Sequence, residues 1–405
     1  ERSDSRRTAA AALRFFRHSR AYPLQGNGHP NRYQLFVERA LQLTRPGGRI
    51  GMLLPSGIAT DHGSAGLRRH LLNHTSIDTW LGFDNRRRIF PIHRSVRFVV
   101  LSTTNAGSTS TLRFRTGLTD PAALHLDAAN EVLSLSRSRI EVLSPQHLTI
   151  PEVATAAALD ILTSIASRVP ALGAPTGWNV RFGRELNATD DRPHFQDRTG
   201  RAGLLAVIEG KHLAPFQVDV ARSTLGIPMK TASQRLEPAT TFARMRIGYR
   251  DVASATNKLT LIAAMLPARS VSVHTVFCLK SPLDDESQWC LLGLMNSLVA
   301  NYLVRLQVTT HVTTALMSRL PVPKPPTTAP AFERLAALSR RLATTGIDNN
   351  GAEYAELNSI AASLYGLSID QYAHVLDSFP LINQSQRELC LSEYEQHSRK
   401  HGNTE

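Results

Sequence analysis

The stretch NRYQLFVERALQL, residues 31–43, spaces its apolar residues with the period of an amphipathic helix. It is followed by RPGGRIGMLLP, residues 45–55, in which a Pro-Gly-Gly turn precedes an apolar run. Proline ends a helix and glycine adopts positive φ readily, so the chain is expected to reverse here into a buried strand. Residues 31–55 therefore predict a helix, a tight turn and a strand, which is the repeating unit of an α/β sheet.

The same alternation continues on the C-terminal side of this stretch. The pattern predicts helices at residues 32–43 and 66–73, and strands at residues 49–54, 77–83, 96–103 and 111–116. Residues 1–120 are therefore expected to form an α/β domain. Residues 121–175 are helix-patterned and end in the Pro/Gly-rich VPALGAPTG, so they predict a helical connector with a hinge.

The second half of the chain has a different pattern. In residues 176–326, short β-type runs surround one apolar helix, CLLGLMNSLVANYLVRL at 290–306, which predicts an α+β domain. The segment LPVPKPPTTAPAF is too rich in proline for a helix or a sheet interior and predicts an extended strap. Residues 327–405 predict a C-terminal helical region.

The charge of the chain favours a polyanionic partner. The formal net charge is +13, and the first hundred residues hold seventeen arginines against six acidic residues. Arginine makes bidentate contacts with phosphate, so nucleic acid is the expected partner. A codon-biased genome is an alternative reason for the high ratio of arginine to lysine, since the first lysine is Lys211, but it does not explain the net excess.

Several kinds of site are not expected from this sequence. The three cysteines lack the paired spacing of a zinc site or a disulfide framework, and we expect no metal. No apolar run approaches the ~20 residues that a membrane-spanning helix needs. The N-terminal residues are rich in arginine and have no apolar core like that of a signal peptide, so the cytoplasm is the default compartment.

The residues of the opening stretch resemble a known family. The pattern consists of Asn31, Tyr33, Phe36, Arg45, Pro46, Gly47, Gly48 and Pro55. It is similar to the second half of the catalytic domain of gamma-class adenine-specific (N6) DNA methyltransferases, including the Taq type and the fused restriction-modification enzymes. The resemblance implies a partial Rossmann-like methyltransferase sheet in residues 1–120, S-adenosylmethionine as cofactor and double-stranded DNA as substrate.

A second match is Phe90-Pro91, in the loop that precedes a predicted strand. Family members carry an aromatic residue and a proline here, and the resemblance implies that Phe90 stacks on the target adenine after base flipping. An enzyme that methylates an exocyclic amine must extrude its base and offer a new stacking surface. Arg88 and Arg94 are then expected beside the DNA backbone. The alternative is that Phe90 is a core residue before a turn and that the arginines belong to a solvated loop.

Residues 176–326 resemble the target-recognition domain that follows the catalytic domain in the same enzymes. The matching segments are GWNVRFGRELN, LLAVIEGKHLAPF, RIGYRDVASATNKLTLIAAMLP, SVHTVFCL and LLGLMNSLVANYLVRL, with Asn296 and Ser297 in the last. The candidates for contact with phosphates or base edges are Arg184, Lys211, Arg250 and Arg269. Internal salt bridges are the alternative role for any of these four, and His274 is expected to be packed inside the domain.

The chain also departs from the family pattern, because it contains no Asn-Pro-Pro-aromatic motif and no cofactor-binding loop. Gln25-Gly26-Asn27-Gly28 follows no predicted strand and is expected to be a surface turn. We therefore name no catalytic and no cofactor-binding residue. Two functions remain open: part of an enzyme that needs a separate polypeptide carrying the N-terminal half, or a catalytically incomplete DNA-binding specificity module or truncated remnant. RNA binding is a third, weaker alternative.

Overall fold

The computed structural model of the chain describes residues 8, 11–12, 14–16, 20–25, 31–124, 132–253, 257–308 and 311–402. The chain forms two compact units, Glu1–Thr163 and Ser164–Glu405.

The first unit is built on one mixed sheet. Its elements are α1 (Arg32–Leu43), β1 (Arg49–Pro55), α2 (Gly57–Thr60), α3 (Ala65–His74), β2 (Ser76–Asp84), β3 (Arg97–Thr104), β4 (Thr111–Leu118), β5 (Leu133–Ser136), α4 (Arg137–Leu143) and α5 (Ala156–Arg168), the last of which runs across the unit boundary. The strand order is β1-β3-β2-β4-β5. Strands β2 and β4 are parallel, and the other neighbouring pairs are antiparallel. The six helices and strands predicted up to residue 116 are confirmed to within two residues.

Helix α1 shows why these bounds are readable from the sequence. At its start, the backbone N–H of Asn31 donates to Gln34 Oε1 at 2.9 Å. After its end, Gly47 adopts φ of +74° and its N–H donates to the carbonyl of Asn105 at 3.1 Å. The Pro-Gly-Gly turn therefore both ends the helix and ties the start of β1 to the end of β3.

The prediction of a helical connector over residues 121–175 was incomplete. Helices α4 and α5 lie there, but strand β5 lies there too and pairs antiparallel with β4. Leu133 and Leu135 point into the core, whereas Ser134 is exposed. The four-residue strand is too short to give a clear period in the sequence, and the free edge of β4 supplies its partner.

The second unit contains two small sheets and a helical region. Its elements are β6 (Phe182–Gly183), β7 (Gln196–Asp197), β8 (Leu204–Ile208), β9 (Leu225–Pro228), α6 (Met229–Ser233), β10 (Arg246–Arg250), β11 (Ala263–Leu266), β12 (Ser270–Ser272), β13 (Val276–Leu279), α7 (Asp285–Met295), α8 (Leu298–Arg305), α9 (Thr314–Arg319), α10 (Pro330–Thr345), α11 (Gly351–Leu364), α12 (Ile369–Asp377) and α13 (Gln384–Gly402). The sheets have the strand orders β11-β10-β13-β6 and β12-β8-β9-β7.

The apolar helix predicted at residues 290–306 is in fact two helices, α7 and α8. The side chain of Asn296 pairs with the backbone of Ala263, accepting from its N–H at 3.1 Å and donating to its carbonyl at 2.9 Å. Ser297 then caps α8, because its Oγ accepts from the N–H of Ala300 at 3.2 Å. These two family-pattern residues therefore join a helix break to strand β11.

The proline-rich segment is extended, as expected, and it packs within the second unit. Its residue Val322 is fully buried, and the carbonyl of Pro323 accepts from Trp178 Nε1 at 2.9 Å. No helix in the described part of the chain is long and apolar enough to cross a membrane.

All three cysteines are buried and have no disulfide partner. Burial raises the pKa of the Cys278 and Cys290 thiols to about 12 and that of the Cys390 thiol to about 11. The described residues include no group of three or more histidine, cysteine, aspartate or glutamate side chains placed to hold a metal ion.

Candidate nucleic-acid interface

The loop between β2 and β3 is organised by one buried amide. Asn85 is 0% exposed, and its Oδ1 accepts from the N–H of Phe90 at 2.9 Å. Its Nδ2 donates to the carbonyls of Phe90, Ile92 and His93 at 3.1, 3.2 and 3.3 Å. A single side chain therefore contacts four backbone groups of the loop, in which the only regular structure among the described residues is the short 3₁₀ turn Asn85–Arg87.

This framework fixes the position of Phe90. The ring is partly buried and packs edge-to-face on Phe98, with centroids 5.1 Å apart. Phe98 in turn stacks on Phe83 at 5.2 Å, within an apolar cluster that also includes Leu118. Phe90 therefore sits on the surface of a core cluster. It has the fixed orientation that a stacking platform needs, and part of it remains accessible.

The arginines around Phe90 differ in their contacts. Arg86 donates to Asp84 Oδ2 at 2.7 Å, and Arg87 lies 4.0 Å from Asp120. Arg88 and Arg94 are exposed, and Arg88 adopts φ of +59°. Arg88 and Arg94 are therefore the two guanidinium groups of this loop that the geometry leaves to contact a polyanion.

Asp84 joins this loop to the sheet. Burial by itself would raise the pKa of its carboxyl, but hydrogen bonds from Arg86 and the charges of Arg86 and Arg97 outweigh that effect and lower the pKa. Arg97 also contacts Glu152, with its Nη1 2.7 Å from Oε2. The base of the loop is therefore an ion-pair network that joins Asp84, Arg86, Arg97 and Glu152.

In the second unit, Arg184 lies against a buried acid. Its Nη2 is 3.5 Å from Oδ2 of Asp251, and its guanidinium lies 5.0 Å from the ring centroid of Phe277. His311 Nδ1 lies 3.1 Å from the other oxygen of Asp251. Asp251 is buried, so these contacts position the side chains of Arg184 and His311 around one fixed carboxyl group.

Lys211 and Arg250 lie close to each other on this surface. Arg250 Nε donates to the carbonyl of Gly210 at 2.5 Å, while the N–H of Gly210 donates to Thr275 Oγ1 at 2.9 Å. Burial lowers the pKa of the Arg250 guanidinium from its usual value, but a guanidinium remains charged in proteins. The Lys211 side chain is 62% exposed and pairs with Glu209 at 2.5 Å. Exposed pairs contribute little stability, so Lys211 can exchange this partner for a phosphate.

Arg269 lies at the other end of the strands from Lys211 and Arg250. It immediately precedes β12, whose Ser270 pairs with Ala206 near the start of β8, whereas Lys211 follows the end of β8. Strand β11, which leads to Arg269, ends opposite Arg246 rather than Arg250. The structure therefore brings Arg184, Lys211 and Arg250 together at one end of the strands and places Arg269 at the other end.

An ion pair that the sequence analysis missed lies inside this unit. Glu185 and Arg246 are 0% exposed and form two hydrogen bonds, at 2.7 and 2.8 Å. Glu185 also accepts from the N–H of Ser272 at 2.7 Å. Burial opposes ionisation of Glu185, but Arg246 outweighs it and lowers the pKa of that carboxyl. The only indication in the sequence was Arg246, a charged residue at the start of the apolar strand β10.

Two other residues of the family pattern have structural roles. The hydroxyl of Tyr33 lies 3.1 Å from Asp61 Oδ2 and 3.0 Å from Ser64 Oγ, and burial raises its pKa to about 12. His274 Nδ1 accepts from the N–H of Ala188 at 3.2 Å. The bond agrees with the expectation that His274 is packed inside its domain.

The two buried carboxylates in the described part of the first unit are not offered to the ribose of S-adenosylmethionine. An adenosine ribose is held by a free carboxylate in many nucleotide sites. The two buried carboxylates described here are both engaged, because Glu38 accepts from Leu24 N at 2.8 Å and Gln25 Nε2 at 2.6 Å, and Asp84 is paired with Arg86. The glycines of the Gln25-Gly26-Asn27-Gly28 turn lie outside the described residues. We derive no chemical step through this cofactor.

The comparisons with known proteins concern both parts of the chain. Residues 12–90 match the family model described as "Eco57I restriction-modification methylase", and the match ends at Phe90. Comparison with curated proteins gave no match.

Two solved structures are similar to most of the chain. One is the type IIL restriction-modification enzyme MmeI in complex with DNA, with 10% identity over 85% of this chain and 51% of that chain, and a TM-score of 0.50. The other is the type IIG restriction endonuclease BpuSI, with 11% identity over 95% of this chain and 52% of that chain, and a TM-score of 0.39. This chain spans about half the length of either protein. The similarity to MmeI shows a shared mixed α/β fold.

Proposed function

We propose that this chain is part of a site-specific DNA methyltransferase of a restriction-modification or phage-defence system, which methylates adenine N6 after flipping the base out of the duplex. The observation that carries this proposal is the geometry of Phe90. Asn85 holds the backbone of Phe90, the ring lies on the surface of a core cluster, and the same loop carries the exposed Arg88 and Arg94. Phe90 also lies within the segment that matches a restriction-modification methylase family.

In this proposal the two units have different tasks. The five-stranded sheet is the partial Rossmann-like sheet of a gamma-class enzyme, and the β2–β3 loop presents Phe90 to the extruded adenine. Stacking on an aromatic side chain contributes roughly 1–3 kcal/mol per base, which offsets part of the cost of unstacking. The second unit is the target-recognition domain, with Arg184, Lys211 and Arg250 facing DNA. The similarity in fold to MmeI, a restriction-modification enzyme whose structure was solved in complex with DNA, supports contact with DNA.

The sequence contains no Asn-Pro-Pro-aromatic motif, and we assign no residue of this chain to binding S-adenosylmethionine or activating the adenine amine. We therefore propose that polypeptide outside this sequence supplies the groups for both tasks, either as a preceding segment or as a separate chain. The cofactor would supply the methyl group. The residues of this chain would position the base and choose the DNA site.

The test of base flipping uses a duplex with 2-aminopurine at the target position and the protein joined to or mixed with the N-terminal half. Phe90→Leu keeps an apolar side chain against Phe98 but removes the stacking face, and Phe90→Trp keeps both. We expect the 2-aminopurine signal, and methyl transfer to a matched duplex with adenine at the target, to fall with Phe90→Leu and to persist with Phe90→Trp. Equal signals from both variants would show that Phe90 only packs against the core.

DNA contact in the second unit is tested by the salt dependence of binding. Each phosphate contact contributes about −0.9 to the slope of log K against log salt. Lys211→Gln and Arg250→Gln should each flatten the slope by about one unit. Arg269→Gln, at the other end of the strands, is the matched control and should leave the slope unchanged. A slope that responds to Arg269 but not to Lys211 or Arg250 would place the DNA at the other end.

The alternative is a DNA-binding specificity module without chemistry, which the missing Asn-Pro-Pro-aromatic motif favours. Complementation separates the two functions. Methyl transfer that appears only when the N-terminal half is added supports the enzyme, whereas specific duplex binding without any such rescue supports the module. Tighter binding to single-stranded RNA than to duplex DNA at the same salt concentration would support the third alternative.

A further inference from the structure

A cavity of about 430 Å³ lies in the first unit, away from the Phe90 loop. One wall is a face of α3 that carries Arg69, His70 and His74. His62, in the 3₁₀ turn that precedes α3, and His147 close another side. Cavities of roughly 300–1,000 Å³ are typical of small-molecule sites. We call this cavity the histidine pocket.

The ionisable groups of the histidine pocket are all basic. The rings of His62 and His147 lie 4.5 Å apart, and those of His70 and His74 lie 4.9 Å apart. Arg69 adds a permanent positive charge, and no carboxylate is found among the described lining residues. Protonation of both members of a pair is unfavourable unless an anion lies between or beside them.

The charged groups around the histidine pocket do not cancel this basic character. The Asp61 carboxylate accepts a hydrogen bond from the hydroxyl of Tyr33 at 3.1 Å. Arg68 faces inward from α3 and donates to the carbonyls of Ile58, Asp61 and His147. Arg69 Nη2 donates to the carbonyl of Gln146 at 3.1 Å and retains its other donors. The surroundings therefore add further positive charge and two carboxylates, Asp61 and Glu38, that are engaged in other hydrogen bonds.

The third wall is a chain segment held in place by two features. The carbonyl of Leu24 lies so close to α3 that a Cβ at Gly66 would meet it at 2.4 Å. The N–H of the same residue donates to the buried carboxylate of Glu38 at 2.8 Å. The wall is therefore fixed by the glycine on one side and by Glu38 on the other, which makes the pocket a preformed one.

We propose that the histidine pocket binds a phosphate group of a nucleic acid or nucleotide, with uptake of protons by its histidines. The site favours an anion, because its ionisable lining groups are Arg69 and four histidines, all of which are positive when protonated. A phosphate oxygen accepts hydrogen bonds from imidazolium and from guanidinium, which are charge-assisted and strong. This inference does not depend on the proposed methyltransferase activity.

The electrostatics of His70 give the sign of the pH dependence. Burial and then the neighbouring His74 lower the pKa of His70, so this ring is neutral in the empty pocket at neutral pH. A bound anion favours the protonated ring and raises its pKa again. Binding therefore takes up protons and strengthens as the pH falls.

Sulfate is the probe for the first test, because it keeps a constant charge while histidines titrate. Its affinity is measured by calorimetry at about pH 6 and about pH 7.5, a range that spans the ordinary histidine pKa. One proton taken up gives at most about a tenfold gain in affinity per pH unit. We expect a gain of several-fold over this range, together with downfield shifts of the histidine ring protons.

The variant for this test is His70→Asn/His147→Asn, which removes one ring from each pair without charge reversal. The double variant should lose most of the sulfate affinity at the lower pH, and its remaining affinity should not depend on pH. His194→Asn, in the second unit, is the control and should bind as the wild type does. The proposal is overturned if the sulfate affinity does not change with pH and is the same in the double variant as in the wild-type protein. The ring-proton titration of the wild-type protein tests the same point without any substitution.

The source of the phosphate is distinguished by competition against sulfate. A mononucleotide that displaces sulfate while duplex DNA does not assigns the pocket to a free or terminal phosphate. Displacement by duplex DNA without a 5′-phosphate assigns it to the backbone. If neither the mononucleotide nor duplex DNA binds, and sulfate does not bind at the lower pH, the proposal is refuted. This outcome does not affect the Phe90 experiments.

Discussion

Replacing Asn85 by alanine tests whether one amide holds the β2–β3 loop. The substitution leaves the N–H of Phe90 without its acceptor, which costs about 1–3 kcal/mol for a buried donor. Loss of the Nδ2 bonds to the three carbonyls adds about 1 kcal/mol. We therefore expect the free energy of unfolding to fall by about 2–4 kcal/mol, or by less if the loop opens locally instead.

Asn85→Asp sharpens this prediction, because it keeps the acceptor for Phe90 but turns an oxygen toward the three carbonyls. At neutral pH it should be at least as destabilising as alanine, since a buried carboxylate would face only acceptors. Its folded-state pKa is expected to rise. The penalty should therefore shrink as the pH falls and the carboxyl becomes a donor.

The assay is urea unfolding combined with hydrogen exchange of residues 84–97. The matched control is Asn105→Ala, which removes bonds from Nδ2 to the carbonyls of Leu41 and Thr44 at the other end of β3. The control should cost about 0.5–1.5 kcal/mol and leave exchange in the loop unchanged. The reasoning is refuted if Asn85→Ala changes stability by less than about 0.5 kcal/mol and exchange in the loop matches wild type.

Three further predictions follow from the described contacts. Arg246→Met should cost roughly 3 kcal/mol in urea unfolding, the lower end of the range for a broken buried pair, because the Glu185 carboxylate loses both guanidinium bonds and keeps only Ser272 and Lys280 as partners; recovery of stability in Arg246→Met/Glu185→Gln would show that the charge was the cause. The pKa of Asp84 is lower in the folded state, so Asp84 stabilises the fold above its unfolded-state pKa and loses this effect as the pH falls through its folded-state pKa. Asp84→Asn should therefore weaken the acid dependence of the free energy of unfolding. Gly66→Ala should displace the segment that walls the histidine pocket and lower sulfate affinity, with unchanged affinity as the contrary result.

The sequence predicted the elements of the first unit where local chemistry decides them. The capping contact at Asn31 and the Pro46-Gly47-Gly48 turn set the bounds of α1 without help from distant residues. Strand β5 was missed because its four residues become a strand only by pairing with the edge of β4. The break at Asn296 was missed for a related reason, since the residue that its side chain satisfies, Ala263, is far away in the sequence.

The candidate site was predictable as a list of residue types but not as an arrangement. Four cationic residues of the second unit were named from the sequence. Strand pairing decides at which end of the strands each one lies, and it places Arg269 at the end opposite to Lys211 and Arg250. The stacking role of Phe90 stays a prediction, and the roles of Asn85 and Glu185 were missed. Both are buried polar residues, and their importance depends on which backbone groups they reach.

The buried cysteines make the chain a convenient background for site-directed labelling. Cys278, Cys290 and Cys390 are enclosed, and their raised pKa values keep them in the unreactive thiol form. A substitution such as Arg94→Cys would therefore introduce a thiol that a maleimide dye modifies selectively in the folded protein. Such a dye next to Phe90 would report arrival of a nucleic acid directly, without removal of any native sulfur.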